Sequence, residues 1–361
     1  MVRGEDAHRV DRVGRRDLPA VRELRIGLSE RALDTLCEGI DARVARRVRP
    51  GHAAAHRTGV TDTVTNHMQV GFIGLGAMGL PMARHLVEAR HDVTVTSRSR
   101  GPIEKAVAAG AIDGGTHDEV VRASAVTIVC VPGSSDVVDV LDAAMPALGE
   151  GKIVVDASTI DPDIERAQHE RVMATGARYL EAPLSGGTVG AEQGTLTLMV
   201  GGDADVLAAA RPALEPFAET IVHVGGPGSG QIVKLCNNLL YAAQTLATAE
   251  ATTMAAKAGV DLRKLYEVIT HSTGDCNAIR TRIPFEGVLP DGPASNDWQP
   301  GFMTDLMAKD LDIAIGFAAR ADTPLFTSGI VRQLLSAASA AGYGREDFSS
   351  LGKIVRELGG V

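Results

Sequence analysis

Gln69-Val70-Gly71-Phe72-Ile73-Gly74-Leu75-Gly76-Ala77-Met78-Gly79 is the stretch from which the fold is read. It opens with a short apolar run of the buried-strand type and continues as Gly-x-Gly-x-x-Gly. A helical pattern then runs through Met82, Leu86 and Val87, with Pro81 in its first turns, where a missing N–H costs little. Alone, such a glycine pattern is weak evidence. Ending a strand and opening a helix, it is a phosphate site, because the glycines allow the turn and let backbone N–H groups approach a pyrophosphate at the positive helix end. Gly74, Leu75, Gly76, Ala77, Met78 and Gly79 are therefore expected to bind a dinucleotide, and the chain to be α/β.

The segments that follow extend this reading. The next strand, Val93 to Thr96, should end beside the adenosine ribose, where an NAD-selective site usually places an acid. Here the turn is Ser97-Arg98-Ser99-Arg100. A guanidinium matches a 2′-phosphate that a carboxylate would repel, so Ser97, Arg98 and Ser99 favour NADP over NAD. Strands are expected at Val126–Val131 and Ile153–Val155, ending in Pro132-Gly133-Ser134 and Asp156-Ala157-Ser158-Thr159. Strand ends on one side of a parallel sheet line the ligand crevice, so Val131, Pro132 and Thr159 should flank the nicotinamide half, with Asp156 as a helix or turn cap.

Composition limits the alternatives. In 361 residues, 45% apolar and 22% charged, there is ample core for two domains. A net charge of -9 argues against nucleic acid or an anionic membrane surface as a general partner, and no apolar run has transmembrane length. The four cysteines form no metal-type pair. Cys130 and Cys236 lie in apolar runs and read as buried free thiols, which suits a reducing, cytoplasmic setting. Residues 1–67 differ from the rest, being rich in arginine without lysine; they read as an unpacked extension or a start placed before Met68, with an amphipathic helix possible over 23–44. His52 and His56 have an HxxxH spacing but no third ligand nearby, so no metal site is expected.

Further along, Leu184-Ser185-Gly186-Gly187-Thr188 sets successive backbone N–H groups beside a hydroxyl, a small nest suited to a carboxylate or else an ordinary turn. Gly228-Ser229-Gly230 then leads into an alanine-rich helical pattern carrying Lys234, Asn238 and Tyr241 on one stripe. Further helical patterns follow at 262–269, 303–319 and 328–341, with Met303 and Met307 as core filling. The expected architecture is an extension over 1–67, a parallel Rossmann domain over 68–229 and an all-α domain over 230–361, joined by a long helix.

Four ordered motifs carry a resemblance: Phe72 to Ala83, Ser185-Gly186-Gly187, Gly228-x-Gly230-xxx-Lys234-xxx-Asn238 and Lys309-Asp310-Leu311. Together they resemble the β-hydroxyacid dehydrogenase family from Met68 to the end of the chain. Ser272 to Cys276, Leu306 to Leu311 and Asp347 to Ser350 are most similar to its 3-hydroxyisobutyrate dehydrogenase branch, with Glu181 and Asp305 as departures from the usual aspartate and threonine. The resemblance implies an active site in the cleft between the two domains. Lys234 would be the general acid/base, with a pKa depressed by burial. Asn238, Ser185, Gly186 and Gly187 would hold the substrate. Lys309 would close over the cofactor or the substrate carboxylate, unless it pairs with Asp305 on the helix surface. The expected substrate is a small 3-hydroxyacid or semialdehyde, of the 3-hydroxyisobutyrate/methylmalonate semialdehyde type, and the expected assembly a homodimer or homotetramer. Reduction of tartronate or succinic semialdehyde with NADPH is the close alternative. A dinucleotide-sensing protein without catalysis is the distant one, against which the intact Lys234 argues.

Overall fold

The structure is a computed structural model and describes residues 67–361; the 23–44 helix and the His52/His56 pair lie outside them. The first part alternates strands and helices. Strands β1 (Gln69–Ile73), β2 (Asp92–Thr96), β3 (Ile112–Asp113), β4 (Val126–Val129), β5 (Ile153–Asp156) and β6 (Arg178–Glu181) are followed by β7 (Leu184–Ser185), β8 (Leu196–Gly202) and β9 (Ala218–Gly225). Between them run α1 (Gly79–Glu88), α2 (Arg100–Ala108), α3 (His117–Ala123), α4 (Ser134–Ala144), α5 (Pro162–Met173), α6 (Gly187–Gln193) and α7 (Ala204–Leu214). The remainder is helical: α8 (Ser229–Lys257), α9 (Leu262–Ile269), α10 (Asn277–Thr281), α11 (Thr304–Arg320), α12 (Phe326–Ala338) and α13 (Leu351–Gly359).

The sheet order is β3-β2-β1-β4-β5-β6-β8-β7, with β9 beside β8. β1 lies between β2 and β4 and is parallel to both. Chain direction across the sheet therefore reverses at β1, and the crevice at such a switch point is where open α/β sheets bind ligands. The apolar runs read from sequence as strands are buried on both faces: Val70, Phe72, Val95, Val126 and Ile128 belong to one core at 0% exposure, and Ile73, Val129 and Val154 to the other at 1%. One core packs under α1 and α7 around Phe72, Leu86 and Leu214, and another lies around Ile73, Leu141 and Tyr179.

The sheet is not wholly parallel, as the sequence reading supposed. β8 runs antiparallel to both β6 and β7. The segment between Ser185 and Leu196 holds only the short α6, too little chain for a right-handed crossover, so the strand turns back on itself. β4 also stops at Val129, freeing the following residues for the crevice.

Helix α8 is 29 residues long and follows Gly228 at its N-cap, whose φ of +86° needs glycine. Its small and aliphatic face packs on α11, α12 and α13 through Ala242, Leu246, Ala249, Met307, Leu311, Val331, Leu335 and Phe348. Met307 is core, while Met303 caps α11 and is only half-buried. Cys236 is exposed, which corrects the expectation of a buried thiol: the apolar residues around it belong to the opposite side of α8. Cys130 is partly buried, and burial pushes its thiol up to about 12. No helix among the described residues is long and apolar enough to cross a membrane.

Candidate active site

The glycine turn between β1 and α1 is built as its pattern demands. Gly74 has φ +104°, and a Cβ there would stand 2.2 Å from the Cys130 carbonyl oxygen. Gly79 meets the Gly74 carbonyl closely enough that a Cβ would fall 1.9 Å from it, so this glycine allows the helix to press on the strand. Gly76 is different, since a Cβ there would touch nothing within 4 Å. Its open side, with Ala77 also exposed, is the cradle a pyrophosphate would fill. Ser97 accepts the Leu75 N–H at 3.3 Å and braces the turn from the end of β2. Arg98 is 76% exposed at the adjacent corner and donates to Asp136 at 2.9 Å, while Ser99 caps α2 with extended backbone.

The ends of β4 and β5 are joined by two hydrogen-bond links. The Val131 N–H donates to Ser158 Oγ at 3.0 Å. Lys309, reaching from α11, donates to the carbonyls of Pro132 and Thr159 at 2.8 Å each and lies 3.0 Å from Asp310. It does not pair with Asp305, which is exposed and accepts the Ser339 hydroxyl instead. The residues assigned to a nicotinamide half are thus gathered around one ammonium.

Lys234 and Asn238 share a buried face of α8, at 7% and 2% exposure, with the half-buried Tyr241 one turn on. Burial lowers the Lys234 pKa from 10.5 to about 8; Lys309 acts in the same direction and Asp310 opposes both. The Lys234 ammonium lies 5.8 Å from the centre of the Phe302 ring. Asn238 donates to Asp310 Oδ2 at 2.7 Å and accepts from Asn237 at 3.1 Å, which fixes its amide.

The Ser185–Gly187 turn faces the same region through the loop before α11. Gly186 and Gly187 have φ of +135° and +62°. The Gly301 carbonyl accepts the Thr188 N–H at 3.5 Å, and the next residue is Phe302, whose ring borders Lys234. That loop is held by Asp347, which is fully buried, accepts the N–H groups of Gly301 and Phe302 and pairs with Arg282 at 3.0 Å.

Asp310, Phe302 and Asp347 are the site residues that sequence reasoning missed. Asp310 and Asp347 both stood inside quoted motifs, but nothing in their spacing tells which partner each would reach. No group of three or more metal-ligating side chains occurs among the described residues.

A glycine turn at the switch point of an open α/β sheet, with a buried lysine and a fixed amide on the long helix that follows, is the arrangement of an NAD(P)-binding oxidoreductase. Residues 69–225 match the NAD binding domain of 6-phosphogluconate dehydrogenase, and residues 228–355 match the NAD-binding domain of NADP-dependent 3-hydroxyisobutyrate dehydrogenase. The chain belongs to the β-hydroxyacid dehydrogenase family, on its 3-hydroxyisobutyrate dehydrogenase-like side. It is 38% identical to an NAD-dependent L-serine dehydrogenase of Pseudomonas aeruginosa over 79% of this chain and 97% of that protein. It is 41% identical to a probable 3-hydroxyisobutyrate dehydrogenase of Mycobacterium tuberculosis over 69% of this chain and 85% of that one. The solved structure of the Mycobacterium tuberculosis 3-hydroxyisobutyrate dehydrogenase with L-serine superposes with a TM-score of 0.76 at 36% identity, covering 80% of this chain and 99% of that one.

Proposed function

We propose that this dehydrogenase interconverts a small 3-hydroxyacid of the 3-hydroxyisobutyrate type and its semialdehyde, with Lys234 as general acid/base and NADP preferred over NAD. The observation that carries this reading is Lys234 itself: an enclosed lysine with its pKa lowered to about 8, a turn from a fixed amide and within reach of the charges of Asp310 and Lys309. When bound, the nicotinamide supplies the hydride acceptor or donor. The protein's own residues manage the proton and the geometry.

In oxidation, neutral Lys234 Nζ accepts the proton of the substrate hydroxyl as the carbonyl forms; in reduction the ammonium returns it to the nascent alkoxide. A pKa near 8 leaves both forms accessible around neutrality, which desolvation by the α8 packing and Phe302 makes possible. Asn238, locked by Asp310 and Asn237, would orient the hydroxyl toward Nζ. Ser185 and the backbone of Gly186 and Gly187 would take the carboxylate, whose charge suits their N–H groups. Gly74 to Gly79, Ser97 to Ser99, Val131, Pro132, Thr159 and Lys309 would line the nucleotide, with Arg98 exchanging Asp136 for a 2′-phosphate.

A second substrate has a specific argument: two of the similar proteins are named for, or solved with, L-serine, which is also a 3-hydroxyacid. A panel of 3-hydroxyisobutyrate, L-serine, tartronate semialdehyde and succinic semialdehyde with both cofactors tests the assignment. Higher kcat/KM for L-serine than for 3-hydroxyisobutyrate would replace the first substrate by the second; turnover of neither class would refute the proposal.

A further inference from the structure

Beneath the cleft lies a polar group that the proton transfer does not use. Asp156 at the end of β5, Glu165 in α5 and Glu181 at the end of β6 are each at most 1% exposed. Two of them have backbone donors. Asp156 Oδ1 accepts the Ser158 N–H at 2.8 Å. Glu181 Oε1 accepts the Gly230 N–H at 2.8 Å and Oε2 the Gln231 N–H at 3.4 Å, in the first turn of α8. Glu165 Oε2 instead accepts the side-chain amide of Gln231 at 3.0 Å. With both Asp156 and Glu165 written as carboxylates, Asp156 Oδ2 and Glu165 Oε1 are buried without a partner; the buried Tyr179 hydroxyl, also without one inside 3.5 Å, faces Glu165.

The other groups facing this cluster do not neutralise it. Lys309 acts on Asp156 while its ammonium donates to Pro132 and Thr159. Arg166, beside Glu165 in sequence, turns to Asp163 and the Pro227 carbonyl. His169 packs edge-on against the Tyr179 ring, and the Cys130 thiol neighbours Asp156. Three enclosed carboxylates cannot all keep their charge. The proton settles on the acid without a backbone donor to its anion, and one O–H there gives Asp156 Oδ2 its missing partner.

We propose that Glu165 is held as a neutral acid, donating from Oε1 to Asp156 Oδ2, and acts through Gln231 as a positioning residue for Lys234. Gln231 is fully buried and ties three elements together. Its amide also donates to the Ser158 carbonyl at 3.0 Å, and its oxygen accepts the Ile160 N–H at 3.1 Å. Lys234 follows it by three residues on the same side of α8. Ser158 and Thr159, on the strand end that Gln231 grips, receive Val131 and Lys309. Ionising Glu165 would place a bare charge against every one of these contacts. Burial first, then the charges of Asp156 and Glu181, holds its carboxyl well above the usual range. Because the folded protein keeps a proton that the unfolded chain gives up, the contribution of Glu165 to stability is fully present below the ordinary glutamate range and is lost as pH rises through the folded-state value.

The positioning half of this inference rests on the role proposed for Lys234; the protonation half does not. Infrared difference spectra of the full-length, cofactor-saturated protein at neutral pH should show a protonated-carboxyl band that Glu165→Gln removes. As pH rises above the ordinary carboxylate range, thermal stability should fall more steeply in the wild type than in Glu165→Gln, whose amide is neutral throughout. Glu165→Ala, which drops the Gln231 contact, should lose about tenfold in kcat with little change in KM, and Glu165→Gln should restore turnover to within about twofold. A wild type without the band, or an unchanged pH slope in Glu165→Gln, overturns the proposal, and both readouts stand if Glu165→Ala fails to fold. Loss of turnover in Lys234→Met with no acid band sinks this inference alone. An active Lys234→Met with the band present sinks the proposed function and the positioning half with it.

Discussion

Replacing Lys234 by methionine should abolish turnover and at the same time stabilise the protein. The side chain is 7% exposed, and enclosing its ammonium lowers the pKa from 10.5 to about 8. A drop of this size corresponds to about 3 kcal/mol of folded-state penalty on the charged form. The direction follows from proton counts. Between those two values the unfolded chain binds the proton that the folded protein has released, so wild-type stability rises with pH across that window. Below about pH 8 the penalty is present in full, and an apolar side chain of similar length escapes it. Lys234→Met should therefore raise the unfolding free energy by up to about 3 kcal/mol at pH 7 and by less at pH 10. Wild-type kcat/KM for oxidation should climb about tenfold per pH unit up to about pH 8 and then level, while reduction should be level below about pH 8 and fall about tenfold per unit above it. Denaturant unfolding at several pH values, with steady-state rates in both directions, measures all of this. A methionine variant that turns over like wild type, or one less stable than wild type at pH 7, would refute the reasoning.

Other outcomes follow from neighbouring features. Gly76→Ala should leave stability unchanged yet weaken cofactor binding about tenfold by filling the cradle, whereas Gly79→Ala, forced against the Gly74 carbonyl, should cost more than about 2 kcal/mol of stability; calorimetry and cofactor titration separate the two. Arg98→Ala, at an exposed corner, should leave the melting temperature in place and lower the NADP/NAD ratio of kcat/KM, and an unchanged ratio would remove Arg98 as the reader of the 2′-phosphate. Arg282→Met should destabilise by about 3–5 kcal/mol in denaturant unfolding, since it leaves Asp347 charged and fully buried without its partner. Asp310→Asn should shift the acid limb of oxidation to lower pH, because Asp310 is the charge that raises the Lys234 pKa.

The parts of the molecule legible in the sequence are those whose chemistry is local. Gly74 and Gly79 announce a turn because only glycine permits the φ of the first and the close contacts of both, and these are set largely within a few residues. Lys234 and Asn238 could be placed on one stripe because helical spacing alone puts them there. What escaped depends on partners far along the chain. Asp310 meets Asn238 from another helix, and Glu165 meets Gln231 across 66 positions. Lys309 had an adjacent-turn partner available in Asp305, yet α11 is rotated so that its ammonium reaches the strand ends. The reversed β8 was hidden for a related reason: alternating and continuous apolar runs reveal a strand but not its direction. Cys236 shows the limit of composition, since an apolar neighbourhood in sequence wraps around a helix and leaves one side in water.

The contacts that Lys309 and Arg320 make bear on how the protein breathes. From the same helix, Lys309 grips the ends of β4 and β5, while Arg320 grips Asp161 and Asp163 at the start of α5. A hinge opening between sheet and helices would have to break both grips together. The two differ in shielding: the Arg320 side chain is 48% exposed, that of Lys309 29%. Ionic strength screens the outer grip more than the inner one. Added salt should therefore loosen the Arg320 grip before the Lys309 one.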